Sequence, residues 1–271
     1  MLILSLYSSS LQAYGPPLVE AAAHNDLNQV QRLLEQGEEP NLAGFDGTTA
    51  LAHAIRHRNK SMILSLFDKG ADIQSMDQQH LPAIVGGIPD PKIVALFLDH
   101  GLSADISDNN GQTLLMHASH NGSTEVIQLL LSRGANLKTT DKAGMTPLHH
   151  AIAGYGRSAT VSKLLSSGAQ VNSAQSDGTT PMMDASRIGR TDFIRLLALK
   201  GAQINVQNER GETALMLAIQ KGHAMAVQAL LSYGASVTAT RKIDGATALS
   251  MAKNIGATQI IDLLRSAGAQ Q

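Results

Sequence analysis

The stretch DKAGMTPLHHAIAGYGRSATVSKLLSSGAQVN, Asp141 to Asn172, decides the fold. Thr146 before Pro147 marks a helix start, because proline at the first helical position lacks an N–H that would have no partner there. Leu148, Ala151 and Ile152 then fall at i, i+3 and i+4, on one face of a helix. Gly154-Tyr155-Gly156 breaks that helix, and Val161, Leu164 and Leu165 repeat the spacing in a second one. Gly168 stands where a helix end takes a left-handed residue. The stretch reads as a helical hairpin preceded by a turn. Neither helix exceeds about ten residues, too short to be stable alone, so each hairpin must bury its apolar face on a neighbour.

The neighbours are written along the whole chain of 271 residues. Glycines close recurring apolar runs at Gly37, Gly70, Gly101, Gly134, Gly168, Gly201, Gly234 and Gly268, at spacings of 31 to 34 residues. A second series, Gly47, Gly111, Gly144, Gly178, Gly211 and Gly245, precedes a threonine by two positions each time. Two series in one register make the repeat far more specific than any single motif.

This pattern resembles the ankyrin repeat. The residues that carry the likeness are Thr146-Pro147-Leu148-His149-His150-Ala151 with Gly168-Ala169. They are echoed at Thr113 to Ala118 with Gly134-Ala135, at Thr180 to Ala185 with Gly201-Ala202, and at Thr213 to Ala218 with Gly234-Ala235. The resemblance implies an all-α solenoid of helix-turn-helix units with protruding β-turn loops, in one repeat domain over residues 17–271 after a leader at 1–16. The eight units fall near 17–41, 42–73, 74–106, 107–137, 138–172, 173–205, 206–238 and 239–271. First helices are expected near 49–57, 113–120, 146–153, 180–187, 213–220 and 247–253.

Two units depart from the pattern. The first lacks the turn and the Thr-Pro start, as suits a terminal cap. In the third, Val85-Gly86-Gly87-Ile88-Pro89-Asp90-Pro91 replaces the inter-helix turn. Glycine pairs and Pro89 cannot continue a helix, while Asp90 before Pro91 restarts one. Residues 80–92 are therefore the expected local weak point.

Composition narrows the function. With 21 Lys+Arg against 22 Asp+Glu, a net charge of −1, the chain lacks the basic excess of a nucleic-acid binder. No cysteine is present, which removes disulfides, thiolate metal sites and thiol nucleophiles. Only 3% of residues are aromatic, which fits thin Ala/Leu layers rather than a large closed core. Charge is uneven: residues 1–140 hold 8 basic and 14 acidic side chains, residues 141–271 hold 13 and 8. Such asymmetry orients an encounter without naming the partner.

Ten histidines invite a metal reading. His53, His117, His150 and Asp184 share one slot on the first helices. Stacked helices lie about 8–10 Å apart, whereas ligands must all sit about 2 Å from one ion, so neighbouring slots do not share a zinc. No Walker, G-x-S-x-G, H-E-x-x-H or dinucleotide fingerprint occurs. The expectation is no metal, no cofactor and no catalysis. By the resemblance, His149 is the motif histidine that ties its own turn.

Binding candidates are side chains that packing does not need. Phe45 and Asp46 lie at a turn tip, as do Asn109, Asn110, Lys142, Asp177, Glu209 and Arg210. His53, Arg56, His57, His117, His120, His150, Tyr155, Arg187 and Lys221 lie on or at the ends of first helices. Aromatic and Arg side chains in such a row dominate interface energetics, and Arg favours carboxylates through paired bonds. The family's shared property is a concave surface that holds another protein, so the expected function is non-catalytic recognition of one protein partner, of inhibitor, immunity or adaptor type. A secreted host-directed effector and an enzyme with an unrecognised site are the alternatives. No run approaches 18 apolar residues, so no membrane span is expected, and the free chain is expected to be monomeric. Residues 1–13 read either as a leader of a cytoplasmic protein or as a start-truncated signal peptide of a periplasmic or exported one.

Overall fold

The structure is a computed structural model that describes residues 15–73, 84 and 90–270. Residues 1–14 of the 1–16 leader and most of the irregular third turn, 80–83 and 85–89, lie outside the described residues. Contacts gather the chain into two compact units, residues 1–109 and 110–271.

The first unit holds α1 (Pro17–Ala23), α2 (Leu27–Glu35), α3 (Ala50–Arg56), α4 (Lys60–Asp68) and α5 (Pro91–Asp99). α1 packs on α3 and α2 on α4, so two hairpins stack helix on helix. Leu18, Val19, Ala54, Ile55, Met62, Ile63 and Leu66 are buried between them. α5 starts where proline chemistry places it, with the Asp90 carboxylate accepting the Lys92 N–H at 2.9 Å. Phe97 of α5 is fully buried and meets the Phe67 ring edge-on at 5.1 Å. Phe67 itself is half-buried, with its ring 4.9 Å from that of His100.

The second unit holds α6 (Leu114–His120), α7 (Thr124–Ser132), α8 (Pro147–Ala153), α9 (Ser158–Ser166), α10 (Pro181–Arg187), α11 (Thr191–Leu199), α12 (Ala214–Gln220), α13 (Ala224–Ser232), α14 (Ala248–Asn254) and α15 (Thr258–Ser266). α6, α8, α10, α12 and α14 pack in sequence as one layer; α7, α9, α11, α13 and α15 form the other. Each first helix begins one residue after a threonine, from Thr113 to Thr247. The hydroxyls of Thr113, Thr180 and Thr213 accept the N–H three residues on, satisfying a donor that the helix leaves free. First helices of seven residues and second helices of nine leave no room for an independent core, and the buried Leu, Ile, Val, Met and Ala side chains lie between layers and between repeats. Full burial of one Leu, Ile, Val or Met side chain stabilises by about 1.5–3 kcal/mol, so a repeat stands or falls with its neighbours.

Asparagine side chains stitch consecutive repeats at the other end of the hairpins. Asn172 accepts the Gln203 N–H at 2.8 Å and donates to the Gly201 carbonyl at 3.3 Å. Asn205 does the same with Ser236 at 2.8 Å and Gly234 at 3.1 Å. Among the described residues the only β pairing is two isolated bridges, Ala43 with Thr49 and Thr240 with Thr247.

Candidate functional site

In the second unit each turn is built by its own side chains. Asp141 Oδ1 accepts the N–H groups of Ala143 and Met145, both at 2.9 Å, and Asn208 Oδ1 accepts those of Arg210 and Glu212. Successive tips are then joined by one backbone bond each: Lys142 N–H to Asn110 carbonyl, Ser176 to Ala143, Glu209 to Asp177 and Lys242 to Arg210, all at 3.0 Å. Asn110, Lys142, Asp177, Glu209 and Arg210 are thereby set in one exposed row on a fixed backbone. Asp177 gains from that order: burial opposes its charge, but the Thr179 hydroxyl and N–H outweigh it and hold the carboxyl below the usual range.

Beside the row stand the ends of the first helices. Tyr155 is 82% exposed, yet it is held: its N–H donates to the His120 carbonyl at 2.7 Å, and its ring meets that of His120 edge-on at 5.8 Å. Arg187 donates to the buried Asp184 carboxylate at 2.7 Å and keeps its side chain 48% exposed. Arg187, Lys221, Arg210 and Asp177 rim a hollow of ≈ 320 Å³ whose walls include Asp184 and Glu212.

In the first unit Phe45 is 75% exposed beside Asp46, whose carboxyl is held below the usual range chiefly by the Thr48 N–H. Arg56 and His57 are exposed, and His57 Nε2 donates to the Ala23 carbonyl at 2.8 Å. Asn109 is exposed.

Two expected contact residues are not on this surface. His53 and His150 are 3% and 6% exposed, because their slot points to the base of the turn and not out of it. His150 Nε2 meets Asp141 Oδ2 at 2.9 Å. His117 is half-buried in the same slot. Burial pushes the His53 imidazole below the ordinary histidine range, and does so for His150 against the opposing pull of Asp141. His149 serves the turn as the resemblance implied: Nδ1 accepts the Thr146 N–H at 3.2 Å and lies 2.9 Å from its hydroxyl. Burial lowers its pKa, opposed by Asp184 and the Thr179 backbone. Among the described residues no three His, Asp or Glu side chains converge as a metal site would require, and no helix is long and apolar enough to cross a membrane.

The sequence reading missed Gln175, Asp184, Asn208 and Glu212 as parts of this surface. A signal was available. Asp184 fills a slot that the other repeats give to histidine or an apolar residue, and a carboxylate there requires a partner nine residues upstream.

The hairpins, the capped first helices and the bonded turn tips are the geometry of one family, and a family model described as ankyrin repeats in three copies matches residues 5–77, 83–175, 153–241 and 182–271. The chain belongs to the ankyrin-repeat family. Its first match begins at residue 5, ahead of the expected first unit. The B-cell lymphoma 3 protein homolog of Mus musculus is 30% identical over 197 residues, covering 65% of this chain and 44% of that protein. Palmitoyltransferase AKR1 of Lachancea kluyveri is 28% identical over 165 residues, 58% of this chain and 22% of that one. SH3 and multiple ankyrin repeat domains protein 2 of Homo sapiens is 33% identical over 139 residues, 49% and 7%. The chain therefore spans less than half the length of these relatives. Ankyrin repeats are protein–protein interaction modules and in general a non-catalytic scaffold.

Proposed function

We propose that this ankyrin-repeat chain binds one protein partner stoichiometrically and regulates or neutralises it in the cytoplasm, without chemistry of its own. In the second unit the contacts are Asn110, Lys142, Asp177, Glu209 and Arg210 at the tips and His120, Tyr155, Arg187 and Lys221 at the helix ends; in the first they are Phe45, Asp46, Arg56, His57 and Asn109. The observation that carries the reading is Tyr155. A side chain 82% exposed, restrained through its own backbone and its ring, meets a partner with less ordering entropy to lose than a free one. Tyr and Arg are the side chains in which binding energy gathers.

Capture from the native source with tagged full-length chain, followed by mass spectrometry, identifies the partner. The triple change Arg56→Ala, Tyr155→Ala, Arg187→Ala then abolishes capture while circular dichroism stays unchanged. Undiminished capture by a folded triple variant overturns the surface assignment. Addition of the purified chain to the isolated partner, with the partner's own activity measured, decides between neutralising and scaffolding.

A further inference from the structure

The hollow beside the turns at 175–179 and 208–212 has an acidic floor and a rim that is cationic but for Asp177. Asp184 and Glu212 form the floor, 1% and 6% exposed. Both are already provided for. Asp184 Oδ1 takes Arg187 at 2.7 Å and Oδ2 takes Gln175 Nε2 at 2.6 Å. Glu212 Oε2 accepts from Asn208 at 3.2 Å, and its Oε1 lies 3.8 Å from the Arg241 guanidinium. Compensated acids behind a cationic rim offer little to an incoming cation. The rim is Arg187, Arg210, Lys221 and Asp177, all exposed; the Asp177 carboxylate already accepts the Thr179 N–H at 2.9 Å, which leaves the three cations as the donors facing the hollow. Asp184 engages one terminal nitrogen of Arg187, and a guanidinium carries five N–H donors, so donors remain for an acceptor. At about 30 Å³ per water, a hollow of ≈ 320 Å³ has room for a side chain. Residues 110–271 carry 15 Lys/Arg against 9 Asp/Glu, 15 − 9 = +6, which draws acidic surfaces toward this unit as a whole.

We infer that this hollow seats the side-chain carboxylate of an Asp or Glu in an extended segment of the protein partner, gripped by Arg187, Arg210 and Lys221, with Asp184 as the positioning residue for Arg187. The inference rests on the reading of this face as the binding surface and adds the chemistry it selects.

The test is a nuclear magnetic resonance titration of the full chain, read at backbone amides and at arginine Nε–Hε groups. The probes are acetyl-Gly-Glu-Gly-amide, its Gln counterpart, and acetyl-Gly-Gln-Gly with a free C-terminal carboxylate. The Glu peptide shifts Arg187, Arg210 and the Gly178 and Gly211 amides saturably, and the other two do not. Arg210→Ala and Lys221→Ala, both at exposed positions, each weaken binding by about threefold or more, and Arg187→Ala by about tenfold. Asp184→Asn moves the Arg187 Nε–Hε resonance in the free protein and weakens the Glu peptide, whereas Arg187→Lys restores part of what Arg187→Ala loses. Equal shifts from the Gln peptide, preference for the free C-terminus, absence of saturable shifts, or equal response of arginines far from the hollow such as Arg265 each overturn the inference. If the titration fails while the triple alanine change still abolishes partner capture, the carboxylate seat alone falls. If the triple variant captures normally, the binding surface falls first.

Discussion

Asp141 and His150, nine residues apart, close the base of their turn through one 2.9 Å bond, and in the next repeat the same two slots are filled by Gln175 and Asp184 at 2.6 Å. The bond is kept while the acid changes sides. A single His150→Asp change therefore sets two carboxylates together in a buried site, which costs about 3–5 kcal/mol, the scale of breaking a buried ion pair. The double change Asp141→Gln, His150→Asp copies the neighbouring repeat and is expected to recover more than half of that loss. Recovery is incomplete, because Asp141 Oδ1 also holds two backbone N–H groups. Urea denaturation of the two singles and the double measures the coupling; strict additivity would show that the two slots are independent.

Stability should fall on mild acidification. His53, His149 and His150 are each held below the usual 6.5 by burial. The sign follows from linkage: below about pH 6.5 the unfolded chain binds protons that the folded chain refuses, so unfolding is favoured as pH drops. Each histidine contributes a slope of up to about 1.4 kcal/mol per pH unit between 6.5 and its depressed folded value. The urea midpoint is expected to be lower at pH 5.5 than at pH 7.5, and His149→Asn should flatten the difference. A midpoint that does not change between those two pH values contradicts the burial of these rings.

Two glycines with the same left-handed backbone should respond differently to alanine. Gly144 and Gly134 have φ of 78° and 86°. A Cβ on Gly134 meets nothing within 4 Å, so only the left-handed strain of about 1–2 kcal/mol applies. A Cβ on Gly144 would lie 2.6 Å from the Ser176 backbone nitrogen, the group whose N–H bonds Ala143. Gly144→Ala must therefore push the two tips apart, and it is expected to cost more than Gly134→Ala and to speed hydrogen exchange at Ser176. Equal costs would show that the tips are free to part.

The repeat was legible because its two glycine series and threonine caps are backbone requirements, which each unit must meet locally. The first helices accordingly lie within about a residue of their expected bounds. The slot of His53 and His150 was misread for the opposite reason. Register places a residue on a helix face, but whether that face looks at solvent or at the base of a turn depends on the turn's own hydrogen bonds. Asp141 supplies those bonds nine positions away, outside the window in which helical periodicity is read. Arg187 was recognised as exposed, while its tie to Asp184 went unread, although the two stand three residues apart on one helix.

The last expectation concerns how Tyr155 is held. Gly154 and Gly156 flank it, and both positions are crowded: a Cβ on Gly156 would fall 1.8 Å from the Ala151 carbonyl oxygen, and one on Gly154 would fall 2.4 Å from that of His120. The obstacle is backbone in both cases and cannot swing aside. Gly156→Ala must then displace the segment that carries the Tyr155 N–H, and with it the bond to the His120 carbonyl and the edge-on ring contact. The cost is expected to be on the order of 1–3 kcal/mol, as for overpacking elsewhere. If the held tyrosine is what the partner meets, affinity should drop about as far as in Tyr155→Ala, although the phenol itself is still present and still exposed. Comparison of the two variants in one binding assay, with the His120 ring resonances as a report on the contact, separates a pre-set side chain from a merely available one. Wild-type affinity in a Gly156→Ala protein whose His120 resonances have moved would show that the fixed position of Tyr155 contributes nothing.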